Sequence, residues 1–485
     1  MKNKCFFFLF ILILVGTGCS KFLDREPISS AVEETFYRNT AEVEAGVLGC
    51  YSSLRDVYNI DPIMAGLRSD DCYVSESEGD VNLIDGFGEA TTNSYITLYW
   101  QYAYFTIKQC NTILKYLDNV DEPAKRDYFE GEAKFLRAHM YFNLVRLYGD
   151  VPLITTNIAY NDAGYYRKVS KDTVYMQIIS DFTTAMQRLP SSWTLTQVGR
   201  VTNNAAKGML AKVYLTLQNY PASRALLLDL IQNPGPNQLL LNYKSVFGIS
   251  NEMNAEIMYA VRYKSNSNGL GNVFTYNMDK LPGSPSYKAA SDFRGNTPFP
   301  NADSIRKSQT FLNGGPIYGS SYYVGGKYQD PGSLKYDGGA DFIVLRYADV
   351  ILMYAEVVNE MDGDTPLTAT DETDPLSRLY QLNRIRARAA GPVPAAVPVC
   401  TFGSSSVNSK DNFRKTLKAE RRRELGVESH RWFDLIRWGD AITVMNAHFA
   451  SRNLTTVVEP YQLLYPIPQR EIDVTNGILK QNPGY

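Results

Sequence analysis

Apolar residues recur at three- and four-residue intervals through long stretches of this 485-residue chain, a spacing that puts them on one face of an α-helix. From Ala31 to Tyr58, the positions Val43, Val47, Tyr51 and Leu54 mark a first helix. A second spans Tyr95 to Leu117, and a third runs from about Asp127 to Tyr148, where Gly149 and Pro152 stop it. Asn203 to Ile231 reads as a helical hairpin broken at Asn219-Tyr220-Pro221. Tyr347–Glu360 with Leu376–Ala389, and Asn412–Glu424 with Arg431–Met445, read as two more. Ala211, Tyr214, Tyr220 and Ala222 follow the small-and-tyrosine pattern of tetratricopeptide repeats. The predicted fold is mainly α, a tetratricopeptide-like superhelix of hairpins.

That periodicity fades between residues 232 and 341, where Pro, Gly, Ser, Asn and Tyr dominate in NPGPN, LPGSPS and YGSSYYVGGKYQDPG. Ordering so long an irregular stretch costs entropy that a scaffold alone does not require, so a ligand-binding insertion is expected there. The helical scaffold then occupies about 31–231 and 342–485, and residues 19–485 form one unit. Residues 1–18 have the form of a secretory signal: Lys2 and Lys4, then an apolar run from Phe6 to Val15 too short to span a bilayer. Gly16-Thr17-Gly18-Cys19 resembles a bacterial lipobox, which makes Cys19 the expected site of lipidation and membrane anchoring.

Composition narrows the chemistry. With 44% hydrophobic and 21% charged residues the chain is neither disordered nor a multi-span membrane protein. A net charge of -2, from 49 basic and 51 acidic residues, offers no field to attract nucleic acid. The three histidines, His139, His430 and His448, are too few for a His-rich zinc site, and no nucleophile elbow, phosphate loop or dinucleotide fingerprint appears. Cys50, Cys72, Cys110 and Cys400 fit no metal motif and are expected as buried thiols. Asp70, Asp71, Glu76, Glu78 and Asp80 form one acidic cluster, and Asp362, Asp364, Asp371 and Asp374 another. Neither has EF-hand spacing, so no cofactor is expected, calcium being the one ion these oxygens would suit. Lys418 to Arg423 is expected as a solvated or ion-paired helix face, with Glu420 and Glu424 as partners.

The abundant resource is tyrosine, 34 against 4 tryptophans. Tyr276, Tyr287, Tyr318, Tyr322, Tyr323, Tyr328 and Tyr336 lie in the irregular stretch, where no periodic core is available to bury them all. Sugar rings present an apolar face edged by hydroxyls, and flat aromatic rings with amide, carboxylate or guanidinium groups at the rim complement them. Asn272, Asn277, Asp279, Asp292 and Arg294 supply such groups nearby.

An opening of FLDREP and ETFYRNTAEVEAGVLGCYSSLRD and six ordered motifs after it carry a family resemblance: GEAKFLRAHMYFNLVRLYGDVPLI, GRVTNNAAKGMLAKVYL, LRYADVILMYAEVVNE, LNRIRARAAG, ERRRELGVESHRWFDLIRWGD and YPIPQREIDVTNGILKQNPGY. The sequence resembles the SusD/RagB family of outer-membrane lipoproteins. The resemblance implies a cell-surface, lipid-anchored protein that binds a nutrient, usually a glycan, without catalysis, and hands it to a SusC-like TonB-dependent transporter. Trp100, Trp432, Phe433, Arg437 and Trp438 resemble family packing positions, leaving Trp193 as the tryptophan outside a helix motif. Tyr276, Tyr322, Tyr323 and Arg294 are the expected ligand contacts, with Asp71, Tyr73 and Trp193 as further candidates. A surface glycoside hydrolase and a helical-repeat adaptor that binds only protein are the alternatives.

Overall fold

The structure, a computed structural model, describes residues 36–74, 79–158, 163–267, 269–278, 287–294, 303–313, 322–330, 334–389 and 401–485. The signal segment, Cys19, Glu76, Glu78, Asp279, Tyr318, Cys400 and most of the loop from Gly391 to Asn408 lie outside them.

The helices used below are α1 (Thr40–Asp61), α2 (Ser94–Lys115), α3 (Pro123–Tyr148), α4 (Lys171–Arg188), α5 (Asn203–Thr216), α6 (Tyr220–Gln232), α7 (Tyr347–Asp362), α8 (Arg378–Ala389), α9 (Lys410–Leu425), α10 (Arg431–Trp438), α11 (Ala441–Ser451) and the short α12 (Gln469–Val474). From α1 to α8 each packs on the next, which builds the expected mainly helical scaffold. α3 and α7 lie at its centre, with residues buried round most of their circumference.

Local chemistry explains where the elements depart from expectation. α1 begins at Thr40 rather than Ala31, because extended Asn39 caps it, its side chain accepting from the Glu42 amide. α3 starts a turn earlier than expected, with Pro123 in the first turn, where its missing N–H costs nothing. The stretch Arg431–Met445 is two helices, since Gly439 takes a left-handed conformation (φ 74°) that closes α10. α4 is absent from the expected set, although its buried Val174, Ile178, Phe182 and Ala185 repeat at helical intervals under a Ser170 cap.

The stretch 232–341 is not wholly irregular. Strand β4 (Ile257–Val261) pairs antiparallel with β8 (Phe342–Arg346), and both are buried along their length. β1 (Cys72–Val74), β5 (Tyr287–Ala289), β6 (Leu312–Asn313) and β7 (Tyr322–Tyr323) form a second sheet in the order β1-β5-β7-β6, and β2 (Val151–Pro152) pairs with β3 (Lys168–Val169).

A buried ion-pair network holds this stretch to the scaffold. Arg346, at the end of β8, donates to Glu428 (2.8 and 3.0 Å), Glu256 (2.9 Å) and Glu424 (2.6 Å). Arg306 donates to Asp303, Glu420 and Glu424, Arg386 to Asp303 and Glu420, Arg388 to Glu256 and Glu424, and Lys327 to Glu428. All ten side chains are 2% exposed or less, five cations on five carboxylates, and Arg423, 13% exposed, adds a further pair on Glu420. The Lys418–Arg423 run of α9 is ion-paired, as one of the two expectations has it, Arg423 donating to Glu420, but it is not a solvated face: Glu420, Arg421 and Glu424 lie in the interior, and Arg421 pairs with Asp349 and Asp434. A helix this charged reads as surface until the partner charges, remote in sequence, are placed.

Candidate functional site

The sheet β1-β5-β7-β6 brings together residues that lie some 250 positions apart in sequence. In its register Tyr73 stands opposite Lys288, Lys288 opposite Tyr323, and Tyr322 opposite Asn313. Side chains alternate across such short strands, so Cys72, Val74, Tyr287 and Ala289 fill the core while Tyr73 and Lys288 stay half-buried. Tyr322 and Tyr323 point to opposite faces for the same reason. Tyr323 is 3% exposed and packs inward, while Tyr322 is half-buried, so the two do not form a single two-ring platform.

Two guanidinium groups sit over the accessible rings. Arg294, closing the short helical turn after β5, lies 4.8 Å from the Tyr322 centroid. Arg452, just beyond α11, lies 4.2 Å from the Tyr73 ring and 3.4 Å from Asp85. Burial lifts the Asp85 carboxyl to about 6 even with Arg452 beside it. The ring–guanidinium pairs are cation–π geometries within about 6 Å, and each offers a ligand an aromatic face beside hydrogen-bond donors.

Asp70 and Asp71 do not present free oxygens. Arg422 donates to Asp71 (3.0 Å) and to Asp292 (3.0 Å), Arg431 holds Asp70 at 2.7 and 3.0 Å, and the Val427 amide donates to Asp71. The adjacent arginines hold Asp70 well below the usual carboxylate range against the cost of burial. Asp71 thus positions Arg422 rather than facing a ligand, and Arg422 lies 4.5 Å over Phe293 beside a cleft of about 370 Å³. Among these carboxylates Asp292, with its side chain 42% exposed, keeps access to solvent.

A second aromatic group lies where α2 begins. Tyr336 is 48% exposed and takes φ 62°, a conformation uncommon for an aromatic residue and found at binding loops. Its ring meets Tyr276 edge-on at 4.6 Å, and the Lys335 ammonium lies 4.9 and 4.8 Å from the two centroids. Tyr276 is 5% exposed, so Tyr336 covers it and is the ring offered to solvent. Half-buried Tyr95, in the first turn of α2, has its phenol pushed up by burial and then by Asp80 and Tyr336 beside it.

Other expected residues have structural work. The Trp193 indole donates to the Val201 carbonyl (2.7 Å) and packs on Tyr128 and Arg200. Asn272 is buried, donating to Ala340 and accepting from Thr275. Tyr287 and Tyr328 are 1% exposed, so a core does exist under the tyrosine-rich stretch. His139 bridges the Tyr58 and Tyr259 hydroxyls at 2.7 and 2.9 Å, and burial keeps it neutral. Asp362 and Asp364 face Arg224 and Lys410, while Asp371 caps the turn at Thr368. Among the described residues no three His, Cys, Asp or Glu side chains converge as a metal site. Cys50, Cys72 and Cys110 are buried free thiols.

The SusD family model matches residues 295–485, and a second model, described as starch-binding associating with outer membrane, matches residues 21–215. The chain belongs to the SusD family. This SusD-family protein is 26% identical to SusD-like protein P25 of Formosa agariphila over 555 residues, covering 100% of both chains. A SusD-like protein of Bacteroides ovatus is 26% identical over 485 residues, with 90% of this chain and 83% of that one covered. Among solved structures, a SusD homolog from Bacteroides thetaiotaomicron superposes with TM-score 0.78 at 22% identity, covering 95% of this chain and 99% of that one. A laminarin binding SusD-like protein superposes with TM-score 0.74 at 24% identity (93% and 100%). Surface glycan-binding protein A from Bacteroides thetaiotaomicron in complex with laminarihexaose gives 0.73 at 20% identity (91% and 99%). The family fixes the fold, while Arg452, Lys335 and Tyr95 join the site from helices and turns whose sequence carries no binding signal.

Proposed function

We propose that this protein binds an oligosaccharide or polysaccharide at the accessible tyrosines on and around the β1-β5-β7-β6 sheet and does not cleave it. The observation that carries the reading is the pairing of accessible tyrosines with cationic donors: Tyr322 with Arg294, Tyr73 with Arg452, and Tyr336 with Lys335. Aromatic faces take the apolar face of a pyranose, and the flanking cations and Asp292 bond its hydroxyls. Carbohydrate binding is also what the names of the laminarin-binding structural neighbours suggest. Asp303 and Asp341 are buried in ion pairs with Arg306, Arg386 and Arg262, and Asp292 and Asp85 at the site are paired with Arg422 and Arg452.

Lipid attachment through Cys19, exposure at the outer-membrane surface and delivery to a SusC-like transporter complete the proposed role. Calorimetry of the mature protein against a glycan panel that includes laminarihexaose tests the binding step. Tyr322→Ala and Arg294→Ala each weaken the interaction at least tenfold, with no reducing ends released. Unchanged affinity in both variants places the ligand elsewhere.

A further inference from the structure

A groove of about 690 Å³ lies away from the sheet, between α2, the residues after β2, and α12 with its C-terminal extension. Its volume falls in the range of roughly 300–1,000 Å³ typical of small-ligand sites. Gln101, Tyr104, Phe105 and Lys108 stand on one face of α2 at helical spacing and form one wall. The floor is aromatic: Trp100 packs 5.0 Å from Tyr104, whose hydroxyl donates to the Pro152 carbonyl (2.7 Å), so both rings are fixed in place. Phe105 is 50% exposed, an unusual position for a phenylalanine on a helix that otherwise buries its apolar stripe.

The rim is polar. Gln101 donates to Glu471 across the groove (2.8 Å), which leaves the amide oxygen and the second carboxylate oxygen as acceptors. Lys108 and Arg470 also line the groove, and neither side chain has a hydrogen bond or ion pair with a described residue. A purely apolar partner would leave these cations without compensation. Hydroxyl-bearing rings satisfy both parts of the lining.

The groove shares helix α2 with the Tyr336 group. Tyr95, neighbour of Tyr336, and Phe105 lie ten residues apart on α2, about 15 Å along the axis at ~1.5 Å per residue. We propose that the groove is a second sugar-binding subsite for a segment of the same polysaccharide, with Phe105 as its stacking platform and Lys108 and Arg470 as its donors. This rests on the glycan reading of the sheet site. Two subsites on one rigid helix let a long chain engage both, and the second engagement is intramolecular, which raises avidity for polymer over short oligomer.

The test uses the mature protein in native gels containing laminarin, starch, xylan or pectin, alongside calorimetry with the matching hexasaccharides. Phe105→Ala, at an exposed position, keeps the wild-type melting temperature, and Phe105→Trp serves as the conservative variant. The expected result is a tenfold or greater loss of retardation by polymer in Phe105→Ala, with hexasaccharide affinity within twofold of wild type and polymer binding restored by Phe105→Trp. Tyr322→Ala, by contrast, weakens polymer and hexasaccharide alike. Unchanged polymer retardation in Phe105→Ala overturns the subsite and leaves the sheet site standing. Loss of transporter co-purification with intact polymer binding assigns the groove to a protein partner and also overturns it. A wild-type protein that no polysaccharide retards removes the glycan reading itself.

Discussion

Replacing Arg346 by methionine removes the central cation of the buried network while keeping much of its volume. Its guanidinium makes charge-assisted bonds to Glu256, Glu424 and Glu428 and donates to the Glu424 carbonyl at 2.6 Å, with no solvent exposure. Glu424 keeps Arg306 and Arg388, Glu256 keeps Arg388, and Glu428 keeps Lys327, so no carboxylate is fully orphaned. Five buried carboxylates then face four buried cations, and breaking a buried pair from one side costs about 3–5 kcal/mol. An unfolding entropy of about 2.1 cal/mol/K per residue over the roughly 400 described residues makes 1 kcal/mol worth ~1 °C. The expected fall in Tm is therefore about 3–5 °C at pH 7, read by calorimetry. The loss shrinks in acid. Neighbouring arginines hold Glu420, Glu424 and Glu428 below the ordinary value near 4.5, so their contribution is present above that pH and disappears as pH falls through the lowered folded values. A Tm within 1 °C of wild type at pH 7 would refute the account of the network as the clamp on residues 303–346.

Three further outcomes follow from individual positions. Asp61 is buried and accepts from the Tyr99 hydroxyl (3.0 Å), and burial raises its carboxyl to about 6. Because the folded value is raised, stability from this group is present below about 4 and lost as pH rises through 6, so Asp61→Asn gains about 3 kcal/mol over wild type at pH 8 and little at pH 4, measured by denaturant unfolding. A Cβ on Gly326 would collide with the Gln309 carbonyl oxygen and meet the Thr310 carbonyl carbon at 2.9 Å, both backbone, so Gly326→Ala destabilises by about 1–3 kcal/mol and lowers ligand affinity by shifting β7, which ends three residues earlier. Trp193→Phe keeps the packing on Tyr128 and Arg200 but loses the bond to Val201, and leaves glycan affinity unchanged in calorimetry while lowering Tm.

The helices were legible because most carry a periodic apolar stripe and several a side-chain cap, and the hairpin at Asn219 was marked by its proline. α4 was equally legible by that criterion, since Val174 to Ala185 keeps the helical period. The site was legible only in outline. Arg294 and Tyr322 follow from local character, yet Tyr323 and Tyr276 differ from Tyr322 and Tyr336 only in which way a short strand or turn faces. Asp71 resembles a rim carboxylate until Arg422, 351 positions away, is placed beside it. Arg452 and Lys335 gain meaning only from the rings beneath them, and the α9 charges from partners on β8 and α8. Long-range pairing of this kind leaves no trace in a local window.

The most direct measurement is calorimetric titration of the mature protein, wild type and Arg294→Ala/Tyr322→Ala, with oligosaccharides from the panel, while the same mixtures are assayed for new reducing ends. The account predicts saturable binding of at least one glycan by wild type, loss of it in the double variant with Tm preserved, and no cleavage. Equal binding by both proteins, or accumulation of reducing ends, contradicts it.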